Sequence, residues 1–186
     1  VVSELLLGLL IGLVARLIFT AVEFGATVIG FQMGFAAANV FDPQNQRQVA
    51  LISQFQNVFA ILIFLAVDGH HIFLQTSVMS YELLPPGKFN ISGEAIPYLM
   101  ELASHMFILG VQFSAPVLAV LLLSGLILGI LARIFPQLNV LLLSFPINIG
   151  TAFIVIALTL DMAAVIIRRE FDTLGERILT LLNFLS

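Results

Sequence analysis

The sequence predicts an all-α, membrane-associated protein built from long helices. The chain of 186 residues is 60% hydrophobic and only 10% charged, whereas soluble domains are about 45–50% apolar and about 25% charged. Its mean hydropathy is +1.12, so no water-soluble fold of this size could bury so much apolar side chain. Two of its apolar runs, taken as helices, are also much longer than the about 20 residues that cross a bilayer.

Composition and motifs also exclude several classes of protein. The net charge of −4 argues against nucleic-acid binding, which requires a basic patch. The chain has no cysteine, so disulfides and thiolate chemistry are not expected. It has no P-loop, no Rossmann glycine pattern, no HExxH and no GxSxG, and we predict neither enzymatic activity nor a cofactor. Since Val1 precedes a hydrophobic run with no initiator methionine or signal peptide, we expect the natural protein to begin earlier.

The first apolar run extends from Leu5 to Phe41. As one straight helix it would be roughly 55 Å long, against a bilayer core of about 30 Å. It must therefore project beyond the bilayer or bend, and we expect a bend at residues 23–25. Gly8 and Gly12 lie four residues apart, a spacing that indicates close contact between helices.

A glycine- and phenylalanine-rich stretch ends this run with the sequence GFQMGFAAANVFDP. Its glycines lie four apart, its Met33 is expected to be exposed, and its Asp-Pro pair is a turn signal. Two interpretations stay open: a segment that lines or blocks a passage, and a packed membrane helix followed by a loop. The residues concerned are Gly30, Phe31, Gln32, Met33, Gly34, Phe35, Asn39, Phe41, Asp42 and Pro43.

The second run, residues 49–67, is about one span long but contains four polar residues: Ser53, Gln54, Gln56 and Asn57. Unsatisfied polar atoms in hydrocarbon cost several kcal/mol each, so these side chains should face protein or water. Asp68 is then predicted to cap a helix and Gly69 to form a left-handed turn. His70 and His71 should point in different directions, which favours a structural turn over a metal site.

A third run, residues 96–131, contains Pro116, which should kink the helix or mark the tip of a hairpin. Glu101 and His105 lie on one helical face, and we expect them to form a hydrogen-bonded pair in a subunit interface. Gly125 and Gly129 repeat the small-residue spacing.

A polar break, RIFPQLN, separates the third run from the last. Pro136 cannot continue a regular helix, and we expect Arg133 and Asn139 to fix this turn. The last run, residues 140–167, has Pro146 in its first part. The tail, residues 168–186, has the spacing of an amphipathic helix that faces a surface or a partner.

Four groups of motifs, in this order and spacing, resemble the FliR family of flagellar export-gate proteins, whose injectisome relatives are the SctT proteins. The groups are Glu4, Gly8, Gly12 and Arg16; Gly30, Gln32, Met33, Gly34, Asp42 and Pro43; Asp68, Gly69, His70, Ser80, Leu84 and Pro85; and Pro116, Leu128, Gly129, Arg133, Pro136, Gln137, Leu138, Asn139, Phe145 and Pro146. The similarity covers essentially the whole chain, and the second group favours the flagellar branch.

This resemblance implies kinked helical hairpins in a hetero-oligomeric export gate of the bacterial inner membrane, within the flagellar basal body. Residues 1–93 should resemble a P-type subunit and residues 94–186 a Q-type subunit. The segment from Gly30 to about Gln46 should form a plug in the pore. The implied partners are P-type and Q-type subunits, the switch subunit of the FlhB family, unfolded export substrates and membrane lipid.

Two other functions compete with an export gate. An ordinary multi-pass transporter should have a polar site at the membrane midplane, but the charges in these apolar runs are scattered. An intramembrane enzyme should have a clustered set of acid, base or metal ligands, and the sequence shows none. An injectisome gate subunit remains the alternative within the family.

Overall fold

A computed structural model describes residues 2–34, 47–84, 93–137 and 139–185, and in these ranges the chain is helical with no strand. The all-α prediction is therefore confirmed. The described ranges contain helices α1 (Val2–Gln32), α2 (Arg47–Ala66), α3 (Gly69–Leu83), α4 (Ala95–Ile134), α5 (Val140–Asp172) and α6 (Leu174–Leu185).

Three helical stretches are long and apolar enough to cross a membrane: Glu4–Gln32, Ala95–Ile134 and Leu142–Leu185. A fourth is present if α2 and α3, which meet at an angle of 66°, count as one broken span. Helix α4 has 40 residues, about twice the length of one span. In the most apolar 18-residue stretch of α4, only 17% is buried within the chain, and in the corresponding stretch of α1 28% is buried. So much exposed apolar surface must be covered by lipid or by other chains.

Helix α1 extends from Val2 to Gln32 without a break, so residues 23–25 do not divide it into two helices. Gly25 lies at a close contact between helices. A Cβ atom there would lie 2.6 Å from the carbonyl oxygen of Gly110 and 3.0 Å from the ring of Phe113. Glycine at this position lets the backbones of α1 and α4 approach closely.

We expect Gly25→Ala to destabilise the protein, because the added methyl group would meet a backbone oxygen that cannot rotate away. Overpacking of this kind costs about 1–3 kcal/mol. The measurement is the midpoint of thermal unfolding in detergent. Gly12→Ala on the same helix is the control, since a Cβ there meets no described atom within 4 Å. Equal midpoints for the two variants would contradict the close approach.

Helix α4 continues through Pro116, which is therefore not the tip of a hairpin. The helix persists although proline lacks a backbone donor and its ring crowds the preceding turn. Two residues earlier, the buried Ser114 hydroxyl donates to the carbonyl of Gly110 at 2.9 Å. Pro146 likewise lies inside α5.

The turn between α4 and α5 occupies residues 135–139, where the sequence predicted it. Pro136 lies in this turn, and Asn139 precedes the first residue of α5. The Asn139 side-chain oxygen accepts a hydrogen bond from the backbone N–H of Leu142 at 3.4 Å, the pattern of a helix N-cap. Arg133 is exposed in the last turn of α4, where a positive charge complements the helix dipole.

At the corner between α2 and α3, Asp68 is the N-cap residue of α3, as predicted, but the left-handed conformation expected at Gly69 occurs at Asp68. Asp68 adopts the left-handed conformation, with φ 55°, and its side chain makes no capping hydrogen bond. Gly69 is the first residue of α3, and a Cβ there would collide with the ring of Phe64. Aspartate tolerates the left-handed region, whereas only glycine fits against this ring.

The described chain divides into two compact units, one formed by Val1–Ala21, Val58–Leu109 and Ala164–Ser186 and the other by Val22–Asn57 and Gly110–Ala163. Each unit takes segments from both sides of residue 93. The division at residues 93 and 94 is thus not a packing boundary, because several long helices contribute to both cores. As a statement of subunit resemblance, that division remains a prediction.

The first unit has an aromatic cluster at its centre. The rings of Phe19, Phe64 and Phe171 lie with centroids 5.0–5.6 Å apart. Helix α6 packs against α3 and buries one face, which comprises Leu174, Ile178, Leu181, Leu182 and Leu185. The tail is therefore an amphipathic helix on the surface of the first unit, and its own chain covers the apolar face.

The second unit has an apolar core contributed by α1, α2, α4 and α5. The buried residues of this core are Ile29, Met33, Ile52, Val117, Leu121, Ala152 and Ile156. Helices α4 and α5 are also joined by a hydrogen bond from the Ser124 hydroxyl to the side-chain oxygen of Asn148, 3.0 Å long.

Candidate functional site

The described part of the predicted plug is the end of α1 and the turn after it. Phe31 is 55% exposed, and Gln32 is also exposed. Met33 is fully buried, so the expectation that it is exposed is wrong. Its backbone N–H still bonds to the carbonyl of Ile29 at 2.9 Å, which places the two side chains on the same helical face. Met33 therefore belongs to the core of the second unit.

Gly34 ends this helix in a conformation that favours glycine, with φ +95°. A Cβ atom there would lie 2.7 and 2.9 Å from two ring atoms of Phe145. Gly30, one turn earlier, is buried. The packing role predicted for Gly34 thus has a structural basis, and its contact is a phenylalanine ring of α5.

The other predicted plug residues lie outside the described ranges: Phe35, Asn39, Phe41, Asp42 and Pro43. Met33 is part of the core of the second unit, and the Cβ position of Gly34 faces the Phe145 ring. That the segment after them forms a plug remains a prediction.

Three predicted packing glycines make no close contact within the described chain. A Cβ at Gly8, Gly12 or Gly129 would meet no described atom within 4 Å. The close helix contact expected at these positions is therefore not an internal one. Their packing role remains a prediction about other chains.

The polar residues of α2 surround an opening in the second unit. Ser53, Gln54 and Asn57, together with Glu23 of α1, line a cavity of about 230 Å³. Gln56 is 4% exposed and faces protein, as the sequence indicated. Within the described ranges, the side-chain oxygens of Gln56 and Asn57 are buried without a hydrogen-bond partner.

The first unit contains a partly buried cluster of ionisable side chains, which includes His105 with a partner other than the predicted one. The Glu170 carboxylate is 2.7 Å from a guanidinium nitrogen of Arg177 and 3.7 Å from Nδ1 of His105. His105 therefore contacts Glu170, instead of the predicted Glu101, because α5 packs beside α4 at this level. The Tyr98 hydroxyl donates to the backbone carbonyl of Arg177 at 3.4 Å, which connects α4 with α6.

Within the described ranges, one group of residues that could bind a metal ion lies at the start of α3. Asp68, His70 and His71 offer ligand atoms within 4.8 Å of one another. The two imidazole rings lie 4.4 Å apart, so the expectation that they point in different directions is wrong. Asp68 and His71 side chains are about three-quarters exposed, and the positive end of a helix dipole disfavours a cation. We therefore base no function on this group.

The sequence analysis missed residues whose importance comes from their neighbours. The sequence around Gly25 indicates a bend and not a close helix contact, and the sequence does not mark Phe145 and Glu170 as contact residues. Glu170 and Arg177 are seven residues apart, a spacing that places both on one helical face. That spacing was the available signal for the ion pair, whereas nothing local marks Phe145.

The fold defines an all-α protein with helices of membrane-spanning length, whose apolar surface requires lipid or partner chains. Residues 1–174 match the family of bacterial export proteins, family 1, and the chain belongs to this family. It is 38% identical over 183 residues to the flagellar biosynthetic protein FliR of Bacillus subtilis, covering 97% of this chain and 71% of that protein. It is 30% identical to FliR of Pectobacterium carotovorum, covering 100% of this chain and 71% of that protein. The resemblance drawn from the motifs is thereby confirmed.

Proposed function

We propose that this chain is a subunit of the flagellar protein export gate in the bacterial inner membrane, through which unfolded flagellar subunits pass. The match over the whole chain to relatives named flagellar biosynthetic protein FliR is the observation that carries this proposal. The role is structural: the chain forms part of a channel and performs no catalysis.

The exposed apolar surface supports a role inside an assembly. On α4, Leu122, Leu123 and Leu126 are each more than 60% exposed, and Leu158 on α5 is 79% exposed. Such surface is stable only against lipid or against other apolar helices. The proposed partners are the P-type and Q-type gate subunits and the FlhB-family switch subunit, with membrane lipid around them. Residues 1–93 and 94–186 would be the P-like and Q-like parts.

The segment after Gly34 is the proposed seal of the channel. A pore wide enough for an unfolded polypeptide leaks ions unless it is closed at rest, and an apolar constriction can close by excluding water. The exposed Phe31 at the end of α1 and the phenylalanines that follow in the sequence supply apolar bulk. The buried Met33 serves as the anchor of this segment.

We expect deletion of residues 35–39 to leave the gate assembled and to make the membrane permeable to small solutes. The deletion removes apolar bulk beyond the anchored Gly34, so the core of the second unit should persist. The measurement is the uptake of a small solute or ion by cells that carry the deletion in the full-length protein.

Recovery of the complex with its partner subunits is followed in parallel. Substitution of residues 35–39 by an apolar sequence of the same length is the control, which should keep the membrane closed. An assembled complex with an undisturbed permeability barrier would exclude this segment as the main seal. Failure of the wild-type chain to co-purify with export-gate subunits would contradict the proposed function itself.

A further inference from the structure

The polar cavity of the second unit contains a carboxylate with no counter-charge. Glu23 lies inside the apolar stretch Glu4–Gln32, which is a candidate span, and no ion pair joins it to any residue in the described ranges. A charged side chain that lipid or apolar helices cover costs several kcal/mol unless it is paired. Glu23 is exposed on the surface of this chain, so a counter-charge can reach it from outside.

One side chain beside Glu23 also lacks a hydrogen-bond donor within the described ranges. Asn57 lines the same cavity, and its buried side-chain oxygen has no donor within the described part of the chain. The side-chain oxygen of Gln56, the preceding residue, is also buried without a hydrogen-bond donor within the described ranges. A buried acceptor without a hydrogen bond costs about 1–3 kcal/mol of stability. The nearby carboxylate would in addition be stabilised by a positive charge.

A carboxylate beside an unsatisfied amide oxygen is a site for a cation that donates hydrogen bonds. A lysine ammonium group offers three donors and an arginine guanidinium group offers five, so either can pair with the Glu23 carboxylate and also donate to polar side chains of α2 that line the cavity. The cavity of about 230 Å³ has room for such a group. Phe55, the residue after Gln54 on α2, is 58% exposed and offers apolar surface to another helix.

We propose that the cavity lined by Glu23, Gln54 and Asn57 binds a lysine or arginine side chain of a neighbouring membrane subunit. This inference rests on the proposed function, since it assigns one contact of the export-gate assembly. It gives α1 and α2 a polar contact within surfaces that are otherwise apolar, and such a contact fixes the register of apolar helices.

The test compares recovery of the full-length protein with its tagged export-gate partners. We expect Glu23→Lys to lower recovery by at least about tenfold, because it places two cations together. Glu23→Gln should lower it less, and exchanging one lysine or arginine of a neighbouring subunit for glutamate should restore Glu23→Lys. Asp161→Asn, at another exposed position within an apolar helix, is the matched control and should assemble normally.

Each outcome decides between the explanations. Wild-type recovery of Glu23→Lys, or an equal loss in Asp161→Asn, would overturn the proposed contact while leaving the export-gate function intact. If wild-type recovery depends on Na⁺ or K⁺ in the buffer and Glu23→Gln abolishes that dependence, the site holds a free cation and the side-chain contact is wrong. Helix content of each variant, measured by circular dichroism, identifies a loss that is due to misfolding.

Discussion

Replacing Gly34 by leucine is expected to abolish recovery of a folded, assembled protein. The residue has φ +95°, a conformation that costs a side-chain-bearing residue about 1–3 kcal/mol. The leucine would also enter the space of the Phe145 ring, whose nearest atom lies 2.7 Å from the ideal Cβ position, and overpacking adds about 1–3 kcal/mol. The measurement is the yield of monodisperse protein in complex with its partner subunits.

Two further variants separate backbone strain from crowding at this position. Gly34→Ala combined with Phe145→Ala removes the ring but keeps the strain, so it should recover only part of the yield lost by Gly34→Ala alone. Gly93→Leu is the control, because no described atom lies within 4 Å of a Cβ there. Normal yield and normal export with Gly34→Leu would show that neither the conformation nor the contact is required.

Replacing Arg177 by alanine is expected to cause the second large loss of stability. Glu170 has a side chain only 11% exposed, and Arg177 is its closest cation, at 2.7 Å. Removing one partner of a buried ion pair leaves an uncompensated charge and costs about 3–5 kcal/mol. The measurement is the midpoint of thermal unfolding in detergent, which should fall well below that of the wild type.

The exposed Arg169, next to Glu170 in sequence, provides the control. Arg169→Ala should change the midpoint little, since surface charges contribute about 0–1 kcal/mol. The double variant Glu170→Gln with Arg177→Met removes both charges and should be more stable than Arg177→Ala alone. A double variant as unstable as Arg177→Ala would show that Arg177 acts through packing, and not through its charge.

Local chemistry determined the larger features of this protein. The composition required a membrane or an apolar assembly, and the long runs became helices of 31, 40 and 33 residues. Pro136 and Asn139 ended one helix and began the next because their effects act on adjacent backbone groups. The family could be inferred from motifs spread along the whole chain, because this inference depends on the order and spacing of residues and not on any tertiary contact.

Long-range packing decided what these same residues do. Gly25 was predicted to bend α1, but the backbone of α4 lies against it. Met33 is buried because it follows Ile29 by one turn, and His105 contacts Glu170 because α5 lies beside α4. The sequence determined which segments are helical and apolar, since helical hydrogen bonds and hydropathy are local. The tertiary structure alone decided which faces meet, because a contact depends on the positions of two distant segments.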